Sequence, residues 1–292
     1  MLTILKIITY IIGHIPLKAA LLAGRLAGRL IYLIDARHRK TVMDNLKTAY
    51  KGQMSEARMT GITKGVFASI GMTAFEFMRI PWLDKAGMDR LVVCRGRERL
   101  DAALARGKGV IIYTAHFGNW ELMAAWFGLN GYGADIVVRE LDSPLMENFV
   151  AWVRTRPGNR MVHKGRNMRK LLKHLSANGM AGILLDQNVA DVEGVFVDYF
   201  GVPACTNKGP AMLAAMSGAA MLPCFMVRKG TRHTIYIGEE TPLVRTGDKE
   251  ADTTANTAAC TKAIEDMVRV HPEQWFWVHR RWKTRPKGEK RQ

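Results

Sequence analysis

His116 and Glu121 stand five residues apart in "YTAHFGNWELMAAW", residues 113–126. An imidazole steered by a carboxylate is the simplest general base a protein can build near neutral pH. Spacing limits how the two can meet. Five helical residues turn through about 500°, so on one helix their side chains would diverge. They converge only if His116 lies in a turn and Glu121 in the first turn of the helix that follows, and Gly118 makes such a tight turn easy. Glu121 would then accept from one ring nitrogen, fix the tautomer and favour the imidazolium, leaving the other nitrogen facing a substrate proton. The same spacing fits a hydrogen-bonded structural histidine followed by a surface glutamate. A covalent hydrolase is disfavoured, since no serine or cysteine sits at a sharp elbow nearby and G-x-S-x-G is absent.

The elements around the pair are predicted from apolar period and punctuation. "GVIIYTA", 109–115, is a short apolar run of strand formers and predicts a buried strand that ends at His116. Asn119 to Leu129 predicts the next helix, with Asn119 as its N-cap. Upstream, 41–80 has a helical period through Val66, Ile70, Ala74 and Phe77, broken by "IPWL" at 80–83, and "RGRERLDAALARGKG" predicts a helix closing at a glycine. Downstream come a strand at "ADIVV" and a helix capped by Ser143 with Pro144 at its first position. A helix over "GRNMRKLLKHLSANG", a strand at "MAGILLD" and an extended "GVFVDYFG" follow. Then come a helix after Lys208, strands at "AMLPCFMVR" and "HTIYIG", and a long helix over 251–271. Strands interleaved with helices predict an α/β fold, with a central, largely parallel or mixed sheet flanked by helices. Open sheets of this kind keep their sites at the carboxyl ends of strands.

Several polar residues fall at those ends. Arg139 follows "DIVV" and could bind a lipid phosphate bidentately, or be a surface arginine. Asp186 and Gln187 end another strand and could position an acceptor sugar, or cap a turn. Arg228 ends a third strand and fits phosphate binding and a structural salt bridge equally. Lys208, at a helix start, could approach an anion. Asn119 lies close enough to His116 to touch substrate, and Asp198 fits a capping residue better than a binding one.

Composition narrows the partners. The 292 residues carry a net charge of +17, which asks for an anionic partner: nucleic acid, a membrane surface, or an acidic substrate or carrier. Cys94, Cys205, Cys224 and Cys260 lie far apart with no C-x-x-C or Cys/His cluster, so reduced thiols are expected and no metal site. Residues 1–35 hold two apolar blocks flanking Pro16, and Lys18, Arg25 and Arg29 interrupt the second. This suits an amphipathic segment lying in a membrane interface better than a span of about 20 apolar residues. A helix buried in the globular domain is the other reading. "ARHRK" at 36–40 favours the cytoplasmic leaflet. Gly24 and Gly28 form a G-x-x-x-G in a short, charged context that weakens it as a packing signal. The basic run from Arg280 to Arg291, with Trp275, Trp277 and Trp282 beside it, suits a headgroup interface or an acidic carrier protein, and a solvated tail beyond Pro286 equally.

"HFGNWE" resembles the H-x-x-x-x-D/E motif of the glycerolipid acyltransferase superfamily, and more closely that of the lipid A late (secondary) acyltransferases. The likeness runs along the chain. It takes in "GILLDQN" at 182–188, "VFVDYFGVPACTNKGPAMLAAMSGAAMLPCFMVR" and the C-terminal "HPEQWFWVHRRWKTRP". Tyr199 departs from the usual Phe before Phe200-Gly201. The resemblance implies acyl transfer without a covalent enzyme intermediate and without a cofactor. In it His116 takes the proton from an acceptor hydroxyl, which attacks the thioester of an acyl carrier protein, and backbone N–H groups around Gly118–Trp120 could help hold the oxyanion. The implied acceptor is a lipid A precursor or a similar glycolipid, and the implied place is the cytoplasmic face of the inner membrane. Residues 1–40 would be the membrane-associated segment and 41–292 the acyltransferase domain. Two rivals from other classes are a basic nucleic-acid-binding protein and a catalytically silent membrane scaffold. The first explains the charge but not the apolar N-terminus or the polar strand ends, and no nucleic acid is expected as a partner.

Overall fold

A computed structural model describes residues 1–163 and 168–288. Four helices come first: α1 (Leu2–His14), α2 (Leu17–Ile34), α3 (Ala36–Tyr50) and α4 (Glu56–Arg79). The helix expected over 41–80 is therefore two. Lys51 and Gly52 adopt left-handed backbone that closes α3, and Ser55 accepts from the Arg58 N–H to open α4. After a 3-10 turn at Ile80–Trp82 come α5 (Lys85–Leu91), β1 (Val92–Arg95), α6 (Arg97–Ala105), β2 (Val110–Thr114) and α7 (Trp120–Leu129). Next are β3 (Asp135–Val138), α8 (Pro144–Thr155), β4 (Arg160–His163), α9 (Met168–Ser176) and β5 (Met180–Leu184). The chain continues with β6 (Gly194–Tyr199), β7 (Val202–Asn207), α10 (Gly209–Ser217), β8 (Ala220–Lys229), β9 (Arg232–Ile237) and α11 (Lys249–Val270). The expected start of α9 at Gly165 and the cations Lys290 and Arg291 lie outside the described residues.

Among the described residues seven strands form one mixed sheet in the order β1-β9-β8-β2-β5-β3-β4. From β8 through β4 all neighbours are parallel, while β9 turns back antiparallel on β8 and carries β1 beside it. Strand β2, Val-Ile-Ile-Tyr-Thr, is buried along its whole length, as a central parallel strand covered on both faces must be. Its side chains alternate between the two halves of the core. Ile111 and Tyr113 pack with Leu46, Val66 and Ile264 on one side, and Val110 and Ile112 pack with Met88, Leu122 and Phe149 on the other. The extended "GVFVDYFG" is β6, paired with β7 in a separate hairpin, where Asp198 accepts from the Gly201 N–H across the turn.

The N-terminal helices are joined to this body through glycine. A Cβ on Gly28 would meet the Phe67 carbonyl oxygen at 2.1 Å, and one on Gly71 would meet that of Gly24 at the same 2.1 Å. The G-x-x-x-G of α2 is thus a contact with α4 at backbone distance. The opposite face of α2 has no partner among the described residues: Leu22, Leu26, Leu30 and Leu33 are all more than half exposed, as are Ile4, Ile7 and Ile11 of α1. No described helix is long and apolar enough to cross a membrane.

Candidate active site

The His116 turn is the connection from β2 to α7. Gly118 sits there at φ +58°, and a Cβ on it would lie 1.7 Å from the Met226 carbonyl oxygen of β8, so only glycine fits. The turn is tied to the C-terminal segment. The Gly118 N–H donates to the Gln274 carbonyl (2.8 Å), and the Phe276 N–H donates to that of His116 (2.9 Å). The Gly118 N–H is spent there and is not a free oxyanion donor.

Strand register decides what His116 meets. Thr114 of β2 lies opposite Leu184 of β5, so two residues further on His116 and Asp186 face each other. Asp186 is 3% exposed. Its Oδ1 lies 2.8 Å from His116 Nδ1, and its Oδ2 accepts from the His116 backbone N–H (3.0 Å) and from Trp275 Nε1 (2.7 Å). Burial alone would raise the Asp186 pKa; the charge of His116 and these three donors outweigh it and hold the carboxyl below its ordinary value. An ionised carboxylate only accepts, so Nδ1 must carry a proton and Nε2 is left as the basic nitrogen. The His116 side chain is 19% exposed. Its ring stands 5.1 Å from the Trp120 ring and 5.8 Å from Phe276, centroid to centroid.

The contact expected between His116 and Glu121 is therefore not made. Glu121 is in the first turn of α7, as the spacing required, but its carboxylate faces Arg154 of α8. Arg154 Nε and Nη2 reach its two oxygens at 2.9 and 2.5 Å, and Trp120 Nε1 donates to one of them at 3.1 Å. A guanidinium fork outcompetes a single ring N–H for a half-enclosed carboxylate. Both residues line a narrow apolar cleft between α7 and the sheet, with Ile112, Phe127, Ile136 and Gly182.

The remaining candidates divide. Gln187 Nε2 is 3.5 Å from His116 Nε2, so Gln187 stands where a substrate group would approach. Arg139 is exposed at the end of β3, at the same sheet edge. Lys208 is half-buried at the start of α10, its backbone N–H donating to the Glu193 carbonyl. Asn119 is fully buried and fully used: its Oδ1 caps α7 at the Leu122 N–H (2.9 Å) and its Nδ2 donates to Glu76 (2.7 Å). It holds the turn and has no polar atom left for substrate. The Arg228 side chain is buried, and its Nε has no hydrogen-bond partner among the described residues. Its Nη1 pairs with Glu76 at 2.6 Å and its Nη2 donates to Thr73 at 3.1 Å, which is the salt bridge of its two readings.

Sequence reasoning missed Glu76, the hub of this network. It is 4% exposed and also bonds His233 Nε2 at 2.8 Å. Burial would raise its pKa, but His233 and Arg228 outweigh that and bring it to about 2. A carboxyl with a folded pKa below its ordinary 4.5 stabilises the fold above that pH and loses the contribution as pH falls toward 2. Acid denaturation of the wild type should therefore steepen below about pH 4.5, and Glu76→Gln should flatten that limb. Glu76→Ala leaves Arg228 buried without its counter-ion, and denaturant unfolding should show a loss of about 3–5 kcal/mol.

His279 was also missed. It accepts from the Asn188 N–H through Nε2 (3.1 Å), and burial lowers its pKa, so it stays neutral beside the site. Neighbouring Arg281 is fully buried, donating to the Cys205 carbonyl and to Thr206 Oγ1 and lying over the Tyr199 ring. These contacts fasten the C-terminal tryptophan segment over the β6–β7 hairpin.

The profile of the bacterial lipid A biosynthesis acyltransferases matches residues 2–284. The chain is 29% identical to the lipid A biosynthesis lauroyltransferase of Escherichia coli K12, over 96% of this chain and 90% of that one. It is 27% identical to the palmitoleoyltransferase of the same organism, over 94% and 89% of the two chains. A phosphatidylinositol mannoside acyltransferase of Mycobacterium tuberculosis H37Rv is 28% identical over 71% of this chain and 66% of its own. With the profile spanning nearly its whole length, the chain belongs to the bacterial lipid A biosynthesis acyltransferase family and is an acyltransferase.

Proposed function

We propose that this protein moves a fatty acyl chain from the thioester of an acyl carrier protein to a hydroxyl of a lipid A precursor at the cytoplasmic face of the inner membrane. The observation that carries the reading is the His116–Asp186 pair, with Nε2 open to the sheet's carboxyl edge. His116 Nε2 takes the proton of the acceptor hydroxyl as that oxygen bonds to the thioester carbon. The C–S bond then breaks, and the imidazolium returns the proton to the leaving thiolate. Asp186 fixes the tautomer and stabilises the charge that forms on the ring. Glu121 belongs to the site as the partner of Arg154, shaping the mouth of the apolar cleft rather than steering the base. Arg139, Gln187 and Lys208 are left as the candidates for acceptor contacts.

The apolar faces of α1 and α2 support a membrane-contacting segment over residues 1–40, lying in the interface with residues 41–292 as the catalytic body. An open basin between the end of α3 and the C-terminal segment is lined by Lys47, Lys51, Arg280 and Lys283, and this charge suits an acidic carrier. Thr284 bonds Asn188, two residues beyond Asp186, and so ties that basin's rim to the strand end bearing Asp186.

The acyl chain would enter the apolar cleft beside Trp120 and Glu121, which at about 60 Å³ must widen to hold it, and residues on its sheet side would gauge the chain's length. Gly182 lines it, and a Cβ added there meets nothing within 4 Å. A transfer assay with purified protein, carriers loaded with a ladder of acyl lengths and a lipid A precursor tests the whole reading. The wild type should esterify the precursor, and Gly182→Leu should move its preference to shorter chains by about tenfold in relative kcat/KM, the order of a few methylenes' worth of contact. Transfer to a mannosylated phosphatidylinositol alone would replace the acceptor, and no transfer from any carrier would end the donor assignment.

A further inference from the structure

The seam between α2 and α4 opens into a second cationic basin of about 710 Å³, distinct from the one at the C-terminal segment. At about 100° per residue, α2 divides into three sectors. Ala20, Leu21, Gly24 and Gly28 are buried against the body, and Leu22, Leu26, Leu30 and Leu33 form the open apolar face. Arg25, Arg29 and Tyr32 lie on the stripe between them. That stripe is one wall of the basin, and exposed Lys64 of α4 is in the other. Among the described residues Arg25, Arg29 and Lys64 have no carboxylate partner, although Glu273 also lines the basin. Arg25 approaches only Met72 Sδ (4.0 Å), and Lys64 stands over the Tyr32 ring at 6.0 Å. Three cations held together at the border of an apolar face, each without a counter-ion, form a site for an anion at headgroup level.

The basin also borders the surroundings of the base. It shares Ser69 and Gln274 with a narrow cleft whose other walls include Thr73, Gly118, Trp120 and Phe276. Trp120 and Phe276 are the rings that flank His116. A lipid lying with its chains along the apolar face of α2 would thus present an anionic group to the arginines, with its polar remainder on the side of the basin that borders the rings beside His116. Two guanidiniums one helical turn apart, faced by an ammonium, suit a tetrahedral oxyanion better than a lone carboxylate.

We propose that Arg25, Arg29 and Lys64 bind a phosphate carried by the acceptor lipid, and so select phosphorylated acceptors and orient them to His116. The proposal rests on the acyl-transfer reading only for the name of the acceptor. It is tested by binding in the absence of any acyl donor, in micelles of a neutral detergent, with a lipid A precursor either phosphorylated or phosphatase-treated. Removing the phosphate should raise the wild-type Kd about thirtyfold, the scale of a few partly exposed charge-assisted contacts. The triple variant Arg25→Gln, Arg29→Gln, Lys64→Gln should raise the Kd of the phosphorylated form by a similar factor and leave that of the treated form where it was. The replaced side chains are exposed, and circular dichroism checks that the variant folds. Equal Kd values for the two lipids in the wild type, or an equal loss for both in the variant, would overturn the proposal. Displacement of the phosphorylated precursor by equimolar phosphatidylglycerol would overturn it too, by marking a general site for bilayer anions. Phosphate-dependent binding without transfer would count against the acyl-transfer reading alone.

Discussion

Replacing His116 with alanine should cut acyl transfer about 10³-fold while leaving the fold intact, a loss typical of removing a positioned general base. The fold should survive because the anchors of the turn are elsewhere. The His116 backbone carbonyl still receives the Phe276 N–H, Gly118 still bonds Gln274, and Asn119 still joins α7 to Glu76. The alanine variant does leave Asp186 buried with two donors in place of three, which should lower the unfolding midpoint modestly. Transfer should be read as single-turnover rates on protein whose circular dichroism matches wild type. A catalytically silent scaffold would show the midpoint shift and no difference in complementation of a deletion strain.

Asp186→Asn should lower the rate about 10²–10³-fold with little change in acceptor KM, and the reason is which way the amide turns. Two fixed donors, the His116 backbone N–H and Trp275 Nε1, converge on Oδ2 of the aspartate. An asparagine satisfies both only by placing its carbonyl oxygen there, which turns its NH₂ toward His116 Nδ1. Nδ1 must then accept, the proton moves to Nε2, and the nitrogen facing substrate is no longer a base. Asp186→Glu should not rescue, since the carboxylate would overshoot a contact set by strand register. Glu121→Gln should weaken transfer by a smaller factor, because its partner is Arg154 and its influence on the base is indirect.

Much of the layout around the site was legible in the residues. The apolar run 109–115, the Asn119 cap and the Ser143-Pro144 start each correspond to an element of the structure, because each rests on a contact made within a few residues. Asp186 and Gln187 were visible as polar residues ending a strand. What could not be read was that β5 lies beside β2 in a register that sets 186 against 116. That is a fact about strand order, and five-residue proximity in the chain pointed to Glu121 instead. Glu76 was hidden for a related reason. A glutamate within a helical period looks like a solvated position, and its partners, Asn119, Arg228 and His233, come from three distant parts of the chain. The N-terminal glycines show the converse. Their spacing was discounted because of the charges around it, yet those charges lie on a different stripe from the glycine face and do not interfere with it.

The claim on which the rest depends is that His116 supplies the nitrogen that takes the acceptor's proton. His116→Gly opens a gap of imidazole size between Trp120 and Phe276, and its transfer rate should be measured with increasing free imidazole. The rate should start about 10³-fold below wild type and climb with imidazole to a plateau, while the same additions leave the Asp186→Asn enzyme unmoved. A glycine variant that transfers at close to the wild-type rate without imidazole would contradict the assignment of His116 as the base.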